Sequence, residues 1–180
     1  MAESYCEYVQ TLDENNLHKI YHDRYYGFPL DDDNLLFERL ILEINQAGLS
    51  WDTILKKQNN FRKAYKNFEI GKVAEFREKD VERLLGDAGI IRNRLKINAA
   101  IYNAKIVLEI QKESGSFKKW LDNHFPRPKE EWVKLFKTKF RFVGGEIVGE
   151  FLMSTGYLPG AHVSWCPVYK KILCLKKKIK

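Results

Sequence analysis

Residues 80–113 read DVERLLGDAGIIRNRLKINAAIYNAKIVLEIQKE, and their reading decides the fold. Asp80 to Leu85 is short and helical in pattern, and Gly86-Asp87-Ala88-Gly89 supplies a tight turn. From Asn93 to Glu113 the apolar positions Ile97, Ala100, Ile101, Ala104, Val107 and Leu108 recur at helical spacing, with Gln111 continuing the same face. A short helix, a glycine-bearing turn and a long helix therefore follow one another. The same period governs the flanks. Asp31, Asp32 and Asp33 are N-cap candidates for a helix through Gln46, and its apolar residues Leu35, Leu36, Phe37, Leu40, Ile41, Leu42 and Ile44 surround most of the circumference. That helix is expected to be buried. Gly48 ends it, and Ser50 caps a helix in which Trp51, Ile54, Leu55, Phe61 and Tyr65 lead toward Phe68. A short helix is expected over about 72–76.

Further along, Ser116 starts a helix through Trp120 and Leu121, and Phe125-Pro-Arg-Pro128 breaks it. Trp132, Leu135 and Phe136 mark another. A last core helix begins near Gly144, carries Ile147, Val148, Phe151 and Leu152, and stops at Gly156. No run alternates as a strand does and no repeat recurs at 20 to 50 residues. The fold class is therefore all-α, and short loops throughout predict one compact domain over residues 1–180.

With 180 residues, 44% hydrophobic, 13% aromatic and 31% charged, the chain has the composition of a folded protein and not of a collagenous or disordered one. Its apolar runs fall far short of the roughly 20 residues a membrane span needs. The N-terminus lacks the basic and then apolar regions of a secretory signal, so a cytoplasmic protein is expected. Six of the seven net positive charges come from Lys170, Lys171, Lys176, Lys177, Lys178 and Lys180. From about residue 170 the chain reads as a flexible basic tail, with a sequence-blind attraction to phosphate as the functional alternative.

Cys6, Cys166 and Cys174 are an odd set in a chain without an export signal, which argues against a disulfide framework and leaves metal binding open. His162 and Cys166 stand four apart, a spacing that puts two ligands on one face of a helical turn; the same spacing also arises by chance. Cys6 and His22 complete a Cys2His2 set in number, but their separation matches no finger pattern. Glu43 lies on the stripe of Leu36, Leu40 and Ala47. It reads either as an acid paired with Arg39 at the edge of the core, or as a desolvated carboxylate awaiting a cationic or hydrogen-bond-donating ligand. Gln46-Ala47-Gly48-Leu49-Ser50-Trp51 then places a turn and an indole just beyond the acid, although most buried tryptophans are simply core. Asp87-Ala88-Gly89-Ile90-Ile91-Arg92 reads as a plain helical hairpin or as a phosphate contact, with backbone N–H groups near Gly89 aided by Arg92, Arg94 and Lys96.

Taken in order, Cys6, Tyr21-His22-Asp23, Glu43 with Gln46 to Trp51, Asp87 to Arg92, Phe142-Val143-Gly144, and His162 with Cys166 resemble the zinc-containing, helix-hairpin-helix family of DNA-3-methyladenine glycosylase I. The resemblance covers about residues 6 to 167. It implies a helix-hairpin-helix glycosylase fold whose N- and C-terminal segments are tied by one structural zinc ion (Zn2+) on Cys6, His22, His162 and Cys166. It implies further that Glu43 and Tyr21 hydrogen-bond the damaged base as catalytic residues, that Trp51 stacks on it, and that Gly89, Ile91 and Arg92 contact DNA. The implied partner is double-stranded DNA containing alkylated bases, met by a monomer with no obligate protein partner and no membrane association. The implied reaction is hydrolysis of the N-glycosidic bond of 3-methyladenine. A zinc-stapled DNA-binding module without turnover is the alternative, and a glycosylase for another damaged base is a third reading. His18, Tyr8, Tyr26 and Lys139 depart from residues usual in the family.

Overall fold

The structure is a computed structural model and describes residues 4–178. Eleven α-helices and no strand occur among the described residues. They are α1 (Tyr5–Gln10), α2 (Leu17–Arg24), α3 (Asp33–Gln46), α4 (Trp51–Ala64), α5 (Ile70–Ala74), α6 (Glu78–Gly86), α7 (Arg94–Ser114), α8 (Phe117–His124), α9 (Lys129–Lys139), α10 (Gly145–Ser154) and α11 (Pro167–Lys178). No helix among the described residues is long and apolar enough to cross a membrane. Two compact units are distinguished, one made of residues 30–151 and the other of residues 1–29 with 152–180.

In the unit of residues 30–151, α3 is the buried axis: Leu36, Phe37, Leu40, Ile41, Leu42 and Ile44 are all sealed from solvent. It packs against α4, α7 and α8. The three aspartates at its start divide the work. Asp32 is the N-cap, accepting from the Leu35 amide at 2.9 Å. Asp33 instead accepts from the amides of Phe117 and Lys118 and from Gln111 Nε2, so it caps the first turn of α8 and ties it to α3. An aromatic cluster of Phe117, Trp120, Phe136, Phe140 and Phe151 fills the space beyond, with the Phe117 and Phe151 rings stacked at 6.3 Å. Each such ring contributes about 1.5 to 3 kcal/mol by its burial.

The helix expected to lead toward Phe68 stops at Ala64. Lys66, Asn67 and Phe68 all have φ near +54°, a left-handed turn that non-glycine residues adopt at a cost. Burial offsets it: Tyr65 and Phe68 are fully enclosed and stack at 5.5 Å with 3° between their rings. The reversal moves the next helix to Ile70–Ala74, two residues ahead of its expected place. The short helix, turn and long helix expected over residues 80–113 are present as α6, residues 87–93 and α7.

In the other unit, α1 and α2 are capped by Ser4 and Asn16. The segment from residue 170, expected to be a flexible tail, forms most of α11 as far as Lys178; Lys180 lies outside the described residues. Its order has a physical reason, because Val168 and Ile172 bury their side chains with Cys6 and Cys166 in one apolar cluster. Gly27 has φ +78°, and a Cβ there would stand 2.8 Å from the Ala161 Cβ and 3.2 Å from the His162 ring, so only glycine lets the two segments close together.

Candidate functional site

Within the unit of residues 1–29 and 152–180, Cys6 (α1), His22 (α2), His162 and Cys166 turn one ligand atom each to a common centre, all four within 4.8 Å of one another and all buried. The sulfur-to-nitrogen edges measure 3.6, 3.3, 3.7 and 3.7 Å, and the nitrogen-to-nitrogen edge 3.1 Å. A tetrahedral zinc with ordinary bond lengths sets these edges at about 3.5 Å and about 3.3 Å. The ring tautomers fit as well. His22 Nδ1 lies 2.7 Å from the Asp23 carboxylate, and His162 Nε2 lies 2.7 Å from the Tyr26 carbonyl. In a neutral ring each of those nitrogens carries the single proton, which leaves the facing nitrogens, His22 Nε2 and His162 Nδ1, as two lone pairs pointed at each other. A cation between them resolves that repulsion.

The charge environment agrees with the donor set. Burial lowers the His162 pKa, keeping the ring neutral as a ligand must be. Burial also pushes the Cys6 thiol up to about 11, a shift that a bound cation reverses. Although burial of Asp23 works against its ionisation, hydrogen bonds from His22 and Lys19 hold its carboxyl below the ordinary value. Asp23 and the Tyr26 carbonyl were not singled out as orienting groups by sequence; the adjacency of Asp23 to His22 is the one available signal. Tyr21, beside His22 on α2, is 6% exposed and packs against the Tyr26 ring at 5.6 Å.

The unit of residues 30–151 carries the other site residues. Glu43 lies on α3 with 4% of its surface exposed, and no hydrogen bond holds its carboxyl among the described residues. Burial pushes its pKa up to about 8, the Arg39 guanidinium opposing and the Glu150 carboxylate adding to the shift. The acid is thus desolvated, and Arg39 acts on it only at a distance. Beyond it, residues 46–49 form a type II turn: Ala47 has φ −50° and ψ 118°, Gly48 has φ +80°, and the Leu49 amide donates to the Gln46 carbonyl at 2.7 Å. Gly48 occupies the position of that turn where φ must be positive. Ser50 caps α4, and Trp51 is its first residue, half-buried.

At the hairpin, Arg92 is exposed and Ile91 half-buried. The Gly89 amide donates to Asp87 Oδ1 at 2.7 Å, and a Cβ on Gly89 would stand 3.2 Å from the Asn60 side chain, so this glycine also serves the close packing of α4. Lys57 on α4 braces the turn by donating to the Ala88 carbonyl. Two cations expected to assist here are engaged elsewhere. Arg94 is paired with Glu78 and Glu82, and Lys96 is buried against the carbonyls of Asn45 and Ala47.

The fold is all-helical, with a buried Cys2His2 cluster able to hold a metal ion in one unit and a desolvated acid one turn before a type II turn in the other. The sequence profile described as methyladenine glycosylase matches residues 11–134, and the chain belongs to that family. It is 37% identical to DNA-3-methyladenine glycosylase 1 of Escherichia coli (strain K12), covering 88% of this chain and 94% of that protein. It is 34% identical to DNA-3-methyladenine glycosylase of Haemophilus influenzae (strain ATCC 51907 / DSM 11121 / KW20 / Rd), covering 86% of this chain and 93% of that protein. A crystal structure of a tyrosine-to-phenylalanine variant of 3-methyladenine DNA glycosylase I in complex with 3-methyladenine matches with a TM-score of 0.80 and 32% identity, covering 87% of this chain and 94% of that one.

Proposed function

We propose that this chain excises 3-methyladenine from alkylated double-stranded DNA by hydrolysing its N-glycosidic bond, leaving an abasic site. The observation that carries the reading is the Glu43 carboxyl, buried without a hydrogen bond among the described residues and with its pKa pushed up to about 8. A buried carboxylate needs a positive or hydrogen-donating partner. Adenine methylated at N3 is a cation while attached to deoxyribose, and it supplies that partner through its electron-poor ring edge and exocyclic amine. Neutral adenine brings no charge to stabilise ionisation of the buried acid, so it forgoes the charge-assisted contact that the cationic base gains. The complex in a related glycosylase supports this choice of base.

The chemistry asks little more of the protein. The nucleotide is extruded from the stack, water adds its oxygen to C1′, and the electron pair of the C1′–N9 bond passes to the base, which leaves neutral without needing a proton. Water gives up a proton as the sugar hydroxyl forms. Trp51 offers the extruded base a stacking face. Tyr21 contributes a phenol as a hydrogen-bonding group. We assign Gly89, Ile91 and Arg92 to the DNA backbone, with α6 and α7 as the two arms of a helix-hairpin-helix element.

Cys6, His22, His162 and Cys166 hold one structural zinc ion in this reading. Four protein ligands close the coordination sphere, so the ion supplies stability and orientation. It anchors the backbone at His22 and so the neighbouring Tyr21. The test is chromatography of bases released from methylated duplex DNA. Free 3-methyladenine with matching abasic sites is the expected result; tight DNA binding with no released base overturns the reading in favour of a binding module.

A further inference from the structure

Lys96 is 5% exposed, yet no carboxylate pairs with it among the described residues. It is the third residue of α7, four beyond Arg92, and its ammonium donates to two backbone carbonyls: Asn45 at 2.9 Å and Ala47 at 2.6 Å. The first belongs to the last turn of α3, where carbonyls lack intrahelical partners and a cation complements the helix dipole. The second has more particular consequences. Ala47 is the first central residue of the type II turn, so its carbonyl belongs to the peptide plane between Ala47 and Gly48. Rotating that plane by half a turn converts a type II turn into a type I turn, and glycine tolerates both. Nothing lies within 4 Å of a Cβ built on Gly48, so packing does not choose between them. The lysine does. The Phe142 ring, 5.9 Å from Nζ and held at φ +57°, covers the ammonium on another side.

We infer that Lys96 is a positioning residue for base recognition, locking the turn at 46–49 in its type II form and thereby fixing Trp51 with respect to Glu43. Glu43 lies one helical turn before Ala47, and Trp51 four residues after it, so a flip of the central peptide redirects the chain between the two groups. Because Lys96 sits in the first turn of α7, the same contact ties that segment to the hairpin at 87–92. The inference rests on the assignment of Glu43 and Trp51 to the damaged base.

Lys96→Met keeps the length and removes both hydrogen bonds; Lys96→Arg restores donors. The experiment measures single-turnover release of 3-methyladenine at saturating DNA, affinity for an abasic-site duplex, and the NMR shift and relaxation dispersion of the Gly48 amide, which belongs to the peptide plane that flips. Lys96→Met is expected to slow release tenfold to a hundredfold and to shift or exchange-broaden the Gly48 amide resonance relative to wild type, while abasic-site affinity stays within about threefold; Lys96→Arg recovers most of the release rate. A folded Lys96→Met with wild-type release, or with release and DNA affinity lowered in parallel, overturns the inference. Should Lys96→Met fail to fold, Gly48→Ala attacks the same turn without a clash: release lost with affinity kept supports the inference, and wild-type release overturns it. A wild type that liberates no base refutes the functional assignment instead, and the Gly48 amide still reports whether Lys96 holds the turn.

Discussion

His22 and His162 turn unprotonated ring nitrogens toward each other across 3.1 Å, each ring being held by a hydrogen bond on its far side. Such an arrangement is repulsive in an empty cluster, and it sets the first prediction. Elemental analysis is expected to find one zinc ion per chain. Cys166→Ala should lower zinc content and melting temperature together, because removing a ligand leaves a buried thiol and two buried imidazoles facing no cation. Asp23→Ala should weaken zinc affinity roughly tenfold to a hundredfold by freeing the His22 ring. A wild type without zinc, or a Cys166→Ala protein melting unchanged, refutes the site.

Glu43→Gln keeps the volume of the side chain and removes its charge. A charge-assisted hydrogen bond contributes about 1.5 to 3 kcal/mol, so release of 3-methyladenine should fall on the order of tenfold to a hundredfold, with affinity for abasic DNA little changed. Full excision by the folded variant would falsify the assigned role.

Stability should move the other way, and with pH. The folded-state pKa of Glu43, about 8, lies above that of an unfolded glutamate, so the folded protein holds a proton that the unfolded chain releases between about pH 4.5 and 8. Its burial is therefore nearly harmless below about pH 4.5, grows costly as pH rises through that window, and reaches its full cost above pH 8. Glu43→Gln should melt close to wild type at pH 5 and several degrees higher at pH 8.5. Equal differences at both pH values count against a buried acid.

Arg92 is the exposed cation left at the hairpin once Arg94 and Lys96 are engaged. Arg92→Ala should weaken binding to all DNA sequences alike and reduce the slope of log affinity against log salt by about 0.9, the amount for one phosphate contact. An unchanged slope assigns the residue to solvent. Gly89 is a poorer probe, because its substitution also disturbs Asn60.

Asp33→Ala deprives the amides of Phe117 and Lys118 and the Gln111 side chain of one shared acceptor. A loss of about 2 to 4 kcal/mol is expected in urea unfolding, since amides left unpaired keep their desolvation cost.

What the sequence reveals follows from what is local. The cap at Asp32, the stop at Gly48 and the start at Ser50 are each signalled by residues within a turn of the event, and α3 and α4 begin there. Phe68 misleads because Tyr65 and Phe68 stand three apart, a helical spacing that the structure realises through ring stacking across a left-handed turn. Lys96 misleads differently. Its proximity to Arg92 and Arg94 reads as a cationic cluster, but the third position of α7 points its side chain inward to carbonyls about fifty residues earlier, which no local pattern records. The metal cluster is half visible: His162 and Cys166 share a spacing, whereas Cys6 and His22 join them only through the fold, and the resemblance supplied that step.

The distance along the chain between the metal-binding residues has a bearing on how the protein is made. Cys6 and His162 are 156 residues apart, so a ribosome adding roughly 5 to 20 residues per second exposes Cys6 and His22 for roughly 8 to 30 seconds before their partners exist. The uninterrupted stretch of residues 30–151 emerges complete during that interval, while two histidine and cysteine ligands wait unpaired at the start of the nascent chain. In the proposed zinc-bound protein, metal capture is thus a late event of biosynthesis, and a message truncated before residue 162 yields a polypeptide with half of the ligand set.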